Sequence, residues 1–279
     1  MILIADSGST KTHWKLLMPE GTEQDFFSQG LNPFHHSKNF SQVLNDSIPK
    51  EIDRASVASV FFYGAGCANE KMQGYVRNNL RGLFESSAIE VNSDLLGAAR
   101  SLFGRDIGIV LILGTGSNVG FYNGQEVVRH TPSLGYILGD EGSGAHLGRE
   151  LVRRWMYKEF SDDLNKELAD LCHMGIDDIL ENVYNSDSPA AFLASYTNTI
   201  ARLISNNEIT QLVEGCFEQL VIRHLLKYPN LTSMPLGVVG SVGVVFSQQL
   251  GSVLGRYGAK LAIARQYPME GLVQFHKGA

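Results

Sequence analysis

The chain has 279 residues, a formal net charge of -6 at pH 7 and an apolar fraction of 44%. This length fits one large domain or two medium ones, and the apolar fraction is sufficient for a buried core. The negative charge argues against nucleic-acid or membrane-surface binding, since both favour basic patches. Cys67, Cys172 and Cys216 have no short spacing, which excludes a zinc pattern or a disulfide framework. A strand-like run directly after Met1 and the lack of a long apolar run predict no signal peptide, no membrane span and a cytoplasmic location.

The first 104 residues are predicted to form strands and helices in the order βββαβαβα. Three short runs separated by polar turns indicate an antiparallel meander at Ile2–Ala5, His13–Met18 and 24–28. The next predicted elements are a helix over 40–48, a strand over 57–63, a helix over 70–85, a strand over 89–92 and a helix over 95–103. This order predicts an α/β architecture in which helices pack on a mixed sheet.

The same order restarts at Ile107 with new hairpins that extend to His130. The later predicted elements are a helix over 142–160, further helices over 162–228, a buried strand over 236–239 and a helix from Val244. The stretch between 189 and 226 has few strand signals and is predicted to be a helical insertion. We therefore expect two domains, 1–104 and 105–279, with the helical insertion in the second.

Two glycine-rich turns of the same design indicate a duplicated fold. The first is Asp6–Thr12 and the second is Gly114–Asn118, and each follows a short apolar strand. Glycines let backbone amides approach an anion, and Ser or Thr hydroxyls add donors, so two such turns facing each other could hold a polyphosphate. The candidate phosphate-binding residues are Gly8, Ser9, Thr10, Lys11, Gly114, Thr115, Gly116 and Ser117. For each turn alone, the alternative is an ordinary polar hairpin turn.

The first turn is also a candidate for magnesium binding, because Asp6 could place Mg²⁺ through water. It does not match a Walker A loop, which needs Gly before the Lys and leads into a helix. Here Lys11 follows Thr10 and precedes a strand, so a P-loop NTPase is not expected.

Three carboxylates further along the chain could take part in chemistry. Asp94 stands between a predicted strand and a predicted helix, where it is a helix N-cap, a general base at the carboxyl edge of the sheet, or both. Asp140 and Glu141 lie in the segment Gly139–Gly144, before a long helix. An acidic first turn suits the helix dipole, but carboxylates among glycines also suit hydrogen bonds to vicinal sugar hydroxyls or, through water, Mg²⁺.

Two further segments give weaker signals. Gly240, Ser241 and Val242 follow a buried strand, which allows either close strand–helix packing or a flat surface against a nucleotide base or ribose. Asn32 precedes Pro33, and this pair is typical of a turn.

These segments, in this order, resemble the sugar kinase/Hsp70/actin superfamily. More narrowly, the chain resembles the N-acetylglucosamine kinase and BadF/BadG/BcrA/BcrD-type ATPase family. The most specific marks are 113–118 (Leu-Gly-Thr-Gly-Ser-Asn) and 139–143 (Gly-Asp-Glu-Gly-Ser), with 92–94 (Asn-Ser-Asp) upstream. One departure is Ser7, where this family usually has Gly. Another is the segment 268–272, which is usually richer in Ala.

The resemblance implies two ribonuclease H-like, actin-like ATPase domains with an interdomain cleft that closes over the substrate. It implies that both glycine-rich turns bind the phosphates of ATP and that Gly240–Val242 contacts the adenosine. It implies that Asp94 is the base that deprotonates a sugar hydroxyl, and that Asn32, Asn118 and Asp140 line the sugar site.

The leading hypothesis is an ATP- and Mg²⁺-dependent kinase for an amino sugar, with N-acetylglucosamine as the first candidate, acting as a homodimer. One alternative is a BadF-type ATPase that drives electron transfer to a partner reductase. Such dimers bridge an iron–sulfur cluster through exposed cysteines, and this chain offers few candidates for that role. The other alternative is a non-catalytic sugar or nucleotide sensor, against which Asp94 argues because a sensor needs no base.

Overall fold

The computed structural model describes residues 1–8, 10–34 and 39–278. The chain divides into two compact units. Unit 1 comprises Met1–Asp106, Gly124–Val127 and Pro268–Ala279, and unit 2 comprises Ile107–Asn123 and Val128–Tyr267. Each unit contains a five-stranded mixed sheet with flanking helices, which confirms the predicted α/β class. The predicted domain boundary at Gly104 stays a prediction.

Unit 1 follows the predicted order βββαβαβα and then gains one helix from the end of the chain. Its elements are β1 (Ile2–Ser7), β2 (Lys11–Leu17), β3 (Glu23–Gln29), α1 (Phe40–Ser47), β4 (Ser59–Gly64), α2 (Glu70–Arg81), β5 (Ala88–Ser93), α3 (Asp94–Phe103) and, in chain order the last helix, α13 (Met269–Lys277). The strand order is β3-β2-β1-β4-β5. Strands β1, β2 and β3 pair antiparallel, whereas β1, β4 and β5 run parallel, so three carboxyl ends meet at one edge.

Large side chains that alternate along the strands build two apolar layers on this sheet. On β2, Thr12, Trp14 and Leu16 are buried while His13 and Lys15 are less so, as a strand with one core face requires. Trp14 shares a core with Phe62 of β4 and with Phe40 and Leu80 of α1 and α2. The other face of the sheet packs against the apolar side of α13.

Two glycines allow α3 to pack closely on its neighbours in unit 1. A Cβ atom at Gly97 would lie 2.8 Å from the ring of Tyr63 on β4, and one at Gly271 of α13 would lie 2.2 Å from the carbonyl of Ser101 on α3. Real side chains do not fit at such distances, so both positions need glycine. As a result α3, whose first residue is Asp94, is fixed between β4 and α13.

Unit 2 repeats the topology of unit 1. Its strands are β6 (Gly108–Leu113), β7 (Ser117–Tyr122), β8 (Val127–Thr131), β9 (Leu236–Val239) and β10 (Leu261–Arg265). Their order, β10-β9-β6-β7-β8, is the same as that of unit 1 when corresponding strands are compared. Strands β6 and β7 pair antiparallel, while β6, β9 and β10 run parallel. The duplication predicted from the two turns is confirmed.

Helices between β8 and β9 form the predicted helical insertion. They are α4 (Gly135–Leu138), α5 (Gly144–Met156), α6 (Asp162–Cys172), α7 (Ile176–Tyr184), α8 (Pro189–Ser195), α9 (Thr197–Arg202) and α10 (Asn207–Arg223), and after β9 come α11 (Ser241–Val245) and α12 (Ser247–Arg256). The core joins Leu147 and Trp155 of α5 to Phe217 of α10 and Leu111 of β6. In the described ranges, none of the helices combines the length and the apolar composition that crossing a bilayer demands.

Several predicted boundaries were wrong by a few residues, for local reasons. The helix expected from 142 begins at Gly144, because the Ser143 side chain accepts a hydrogen bond from the amide of His146 and caps it there. The helix expected from Val244 begins at Ser241, directly after Gly240. The strand expected from Val57 begins at Ser59, because a 3₁₀ turn occupies Arg54–Ser56.

Candidate functional site

The turn between β1 and β2 is held by its own hydrogen bonds. The amide of Gly8 donates to the carbonyl of Lys11 at 2.9 Å, and the hydroxyls of Ser7 and Thr12 lie 2.8 Å apart. Ser7 Oγ also accepts from the amide of Leu31 at 3.0 Å. The Ser7 side chain therefore ties the turn to the segment after β3, which gives a structural role to a serine that departs from the family pattern.

The predicted phosphate-binding residues of this turn differ in their surroundings. Gly8 and Thr10 are exposed, and a Cβ atom at Gly8 would make only an ordinary contact, 3.5 Å from the carbonyl of Lys11. The Lys11 ammonium lies 3.8 Å from the centroid of the Phe27 ring, in a cation–π contact. Ser9 lies outside the described residues. The exposed backbone of this turn is thus accessible to an anion, whereas Lys11 is engaged with β3.

Asp94 is the first residue of α3, and it is not the N-cap. The cap is Ser93, whose hydroxyl accepts from the amide of Leu96 at 3.2 Å. The Asp94 carboxylate accepts from the amide of Leu95 at 2.8 Å. Because Ser93 already caps the helix, capping does not explain the carboxylate at position 94.

Asp6 and Asp94 form a carboxylate pair at the carboxyl edge of the unit 1 sheet. Burial, followed by the nearby charge of Asp94, raises the pKa of Asp6 to about 7. Burial also raises the pKa of Asp94, against the opposing effect of its bond to the Leu95 amide. Neither carboxylate makes a salt bridge within residues 1–8, 10–34 and 39–278. Carboxylates in such a place can accept a proton from a substrate or bind a divalent cation.

Asn32 lies at the same edge of the sheet as Asp6 and Asp94. Its Oδ1 accepts from the amide of Phe34 at 3.0 Å, so the predicted turn is present. A Cβ atom at Gly66, just after β4, would lie 2.5 Å from this Oδ1, and the φ of Gly66 is 84°. Gly66 was not among the predicted site residues, although its place directly after a buried strand could have indicated it.

The turn between β6 and β7 has its carbonyl groups directed into the protein. The carbonyl of Gly114 accepts from the amide of Gly144 at 2.8 Å, that of Thr115 from Ala145 at 3.1 Å, and that of Gly116 from Gly114 at 3.0 Å. Within the described ranges, the amides of Thr115 and Gly116 donate to no protein group. A turn whose carbonyls are occupied and whose amides are not is suited to an anion such as a phosphate.

Asp140 lies against this second turn. A Cβ atom at Gly116 would be 2.8 Å from Asp140 Oδ2, so a larger residue at 116 would displace the carboxylate. Asp140 has a positive φ of 55°, and its Oδ1 accepts from the hydroxyl of Ser133 at 3.1 Å. Burial raises the pKa of Asp140, although the Ser133 hydroxyl and the backbone amides of Ser117 and Gly135 favour the charged form. The structure thus brings Asp140 together with Gly116 and Ser117.

Glu141 faces α10 and already has two cationic or polar partners. Its carboxylate lies 2.9 Å from His224 Nε2 and 3.2 Å from Arg223 Nε. Burial opposes ionisation of Glu141, but the His224 hydrogen bond and the Arg223 charge outweigh it and lower the pKa. Neither His224 nor Arg223 was predicted from the sequence, because they lie far away in the helical insertion.

Asn118 is on β7, opposite Ile112 of β6, and is partly buried. Its Oδ1 accepts from the amide of Val119 at 3.0 Å. The side chain is therefore beside the second turn, on the strand that leaves it.

The segment Gly240–Val242 lies next to the start of the second turn. The φ of Gly240 is 121°, and a Cβ atom there would be 2.2 Å from the carbonyl of Leu113, so only glycine fits. Its amide donates to the carbonyl of Arg265 at 2.9 Å. Ser241 is exposed, whereas the Val242 side chain is buried in the core. Only the backbone of Val242 is therefore left for a ligand.

The charged groups do not form a dedicated metal cage in either unit. No cluster of three or more His, Cys, Asp or Glu suited to a metal ion occurs in the ranges 1–8, 10–34 and 39–278. Magnesium in phosphoryl-transfer sites is commonly held by one or two carboxylates plus substrate phosphates and water. The Asp6 carboxylate, which has no cationic partner in the described part of the chain, fits that donor set.

The cysteines are poorly suited to bridge a metal cluster. Cys67, Cys172 and Cys216 are all free, and two of them are buried. Burial raises the pKa of both Cys67 and Cys216 to about 12, which disfavours the thiolate form that ligates iron. The hypothesis of a reductase-activating ATPase is therefore not favoured.

Solved structures with low sequence identity to this chain identify its fold, and a more similar one identifies its family. No protein-family model matches the chain, and no curated protein matches it. A ROK family glucokinase from Streptomyces griseus, solved with glucose and AMPPNP, is 16% identical with a TM-score of 0.61, and each chain covers 99% of the other. A candidate N-acetylglucosamine kinase from Chromobacterium violaceum is 19% identical with a TM-score of 0.72, with 98% of each chain covered. These two share the two-domain sugar kinase fold with this chain.

A candidate N-acetylglucosamine kinase from Porphyromonas gingivalis is much more similar. It is 36% identical with a TM-score of 0.94, and the match covers 100% of this chain and 99% of that one. The chain belongs to the N-acetylglucosamine kinase family.

Proposed function

We propose that the chain is an ATP-dependent sugar kinase that phosphorylates a hydroxyl of an amino sugar, with N-acetylglucosamine as the first acceptor to test. The observation that carries this proposal is the Asp94 carboxylate at the carboxyl edge of a sheet. Ser93 and not Asp94 is the N-cap of α3, and Asp94 accepts from the amide of Leu95 but makes no salt bridge to any described residue. The similarity to the Porphyromonas gingivalis protein, over the full length of both chains, supports the choice of reaction and acceptor.

Asp94 would act as the general base. It would accept the proton of the sugar hydroxyl as that oxygen attacks the terminal phosphorus of ATP. Burial raises its pKa, and a base with a pKa nearer to neutrality takes up a proton more readily in the transition state.

The backbone amides of the two turns would hold the triphosphate. In the second turn, the amides of Thr115 and Gly116 are the available donors. In the first, the amide of Gly8 already donates to the carbonyl of Lys11, so exposed Thr10 and Ser9 are the candidate donors, with Gly8 allowing the phosphate to approach. Phosphoryl transfer needs positioning and charge stabilisation more than covalent chemistry, so amide donors of this kind suit the reaction. Gly240 and Ser241 would contact the adenosine.

Magnesium would be held by Asp6, with Asp140 as the other candidate carboxylate. When bound, the ion would neutralise charge on the phosphates of ATP. The acceptor sugar would be recognised by Asn32, Asn118 and Asp140, which offer amide and carboxylate groups to its hydroxyls. We extend the proposal to a homodimer in the cytoplasm, which light scattering and cell fractionation would test.

A coupled assay of ADP release over N-acetylated and plain hexoses tests the proposal. We expect N-acetylglucosamine to raise the rate of ADP release well above the rate with ATP alone, and an Asp94→Asn variant to lose that increase. A wild-type protein whose ADP release is the same with every sugar as without sugar would contradict the proposal.

A further inference from the structure

Resting on the proposed kinase function, we infer that Glu141 is a positioning residue that acts through Asp140 and does not itself bind the sugar. The inference concerns four residues of unit 2, Thr131, Glu141, Arg223 and His224, which we call the Glu141 anchor. They come from β8, from the loop before α5 and from the end of α10. The anchor joins the helical insertion to the loop that carries Asp140.

The hydrogen bonds of the anchor form a continuous chain. Glu141 lies 2.9 Å from His224 Nε2, and His224 Nδ1 lies 2.7 Å from the hydroxyl of Thr131. Arg223 Nε lies 3.2 Å from the other carboxylate oxygen of Glu141. An ionised carboxylate only accepts, so Nε2 of His224 carries a proton and donates to Glu141. In the neutral imidazole the Thr131 hydroxyl then donates to Nδ1.

These contacts direct Glu141 away from a ligand role. Both of its oxygens face α10, and its side chain is only 12% exposed. Asp140, the preceding residue, has the opposite surroundings: its carboxylate lies against Gly116 of the second turn. The two adjacent carboxylates therefore face different partners, one the helical insertion and the other the glycine-rich turn.

The loop over 140–143, which leads into α5, needs this support because two of its residues have a positive φ. Asp140 has a φ of 55°, a conformation that a non-glycine residue adopts only at a cost. Gly142 has a φ of 77°, and a Cβ atom there would be 3.0 Å from Leu220 of α10. The amide of Gly142 donates to His146 Nδ1 at 3.0 Å. Packing on α10 and the Glu141 anchor together hold Asp140 in its strained conformation.

A double-mutant cycle between Glu141→Gln and His224→Phe separates positioning from direct binding. If Glu141 acts through the anchor, each variant raises the KM for the sugar about tenfold, and the double variant is no worse than the poorer single one. The KM for ATP and the kcat should change much less. Effects on the sugar KM that multiply in the double variant would overturn the inference, because Glu141 would then contribute without His224.

Hydrogen–deuterium exchange provides a readout that does not need kinase activity. In His224→Phe we expect the amides of Gly142 and Ser143 to exchange about tenfold faster than in wild type. Thr131→Val, which keeps the shape of the side chain and removes only the hydroxyl, should produce a smaller increase at the same amides. The matched control is Arg153→Gln, which breaks the 2.6 Å pair with Glu150 on the surface of α5 and should leave this exchange unchanged.

The kinetic and the hydrogen–deuterium exchange experiments together distinguish failure of this inference from failure of the proposed function. If the amides of Gly142 and Ser143 exchange faster in His224→Phe but the wild-type protein phosphorylates no sugar, the Glu141 anchor is supported and the kinase proposal is rejected. Unchanged exchange at Gly142 and Ser143 in a folded His224→Phe protein would overturn the anchor, whatever the activity.

Discussion

Two carboxylate pairs, Asp6 with Asp94 in unit 1 and Asp140 with Glu141 in unit 2, differ in one respect: among the described residues, only the second pair has a member, Glu141, with cationic partners. The first pair has no cationic partner in the described part of the chain, and burial raises the pKa of both of its members. In the second, Glu141 is paired with Arg223 and His224, which lower its pKa. An unpaired, partly buried carboxylate is costly to the fold, so its presence points to chemistry, whereas a paired one points to support of the structure.

The largest effect should follow from Asp94→Asn. We expect kcat to fall by ~10²–10⁴-fold, because the variant removes a general base, while the sugar affinity changes little. The fold should be retained, since Ser93 and not Asp94 caps α3. Steady-state kinetics and calorimetry with the sugar measure both quantities.

Ser93→Ala is the matched control for this prediction. It should lower the free energy of unfolding by about 1 kcal/mol and leave most of the activity. If Asp94→Asn keeps a near-normal kcat, the Asp94 carboxylate has no catalytic role. The absence of a cationic partner would then not indicate which carboxylate takes part in the reaction.

The next largest effect should follow from Asp140→Ala. We expect sugar affinity to fall by roughly 10–100-fold, because hydroxyls that hydrogen-bond to a charged acceptor lose about 1.5–3 kcal/mol for each bond. ATP affinity should fall less. Calorimetric titration with each ligand tests this difference. An equal sugar affinity in Asp140→Ala and wild type would show that Asp140 does not bind the sugar.

Gly240→Ala should destabilise unit 2 and weaken ATP binding. Its Cβ atom would collide with the carbonyl of Leu113 at 2.2 Å, and its φ of 121° is unfavourable for alanine. The matched control is Gly251→Ala in α12, where a Cβ atom would meet nothing within 4 Å. That variant should be neutral or stabilised by up to about 1 kcal/mol. Thermal unfolding that shifts equally in both variants would show that the backbone at 240 is not constrained.

The smallest predicted effect is a pH dependence of stability that arises from Asp6. The pKa of Asp6 is raised from 3.8 to about 7 in the folded protein, so its contribution to stability is fully present below pH 4 and is lost as the pH rises through 7. Asp6→Asn should therefore raise Tm at pH 8 and have little effect at pH 4, measured without ligands. The exposed residue Asp106 provides the control, because Asp106→Asn should change Tm equally little at both values. A Tm for Asp6→Asn that shifts equally at pH 4 and pH 8 would contradict the raised pKa.

Local sequence signals predicted most of the fold. Short apolar runs separated by polar turns, and the repeated strand–turn–strand design at Asp6–Thr12 and Gly114–Asn118, predicted the antiparallel strands of both sheets and the duplication. Helix ends were less predictable, because they depend on single side chains such as Ser143. Strand β10 and helix α13 were not predicted. The docking of α13 on unit 1 follows from packing between residues such as Ser101 and Gly271, which are far apart in the chain.

The sequence indicated candidate site residues where a local motif marks them, as at Gly114–Ser117 and Asp94, and their roles stay predictions. It could not indicate which residues become the partners of a candidate residue. Asp140 and Glu141 are neighbours with the same kind of charge, and nothing local distinguishes them. Only the fold shows that His224 and Arg223, supplied by α10, take up one carboxylate and leave the other against Gly116.

The central claim is transfer of a phosphoryl group to a sugar with Asp94 as base, and phosphorus NMR of the reaction mixture tests it most directly. With ATP, Mg²⁺ and N-acetylglucosamine, the wild-type protein should give a new sugar phosphomonoester resonance together with that of ADP, and Asp94→Asn should give neither at a comparable rate. Release of ADP and inorganic phosphate without a sugar phosphomonoester, from this or any other amino sugar, would contradict the claim.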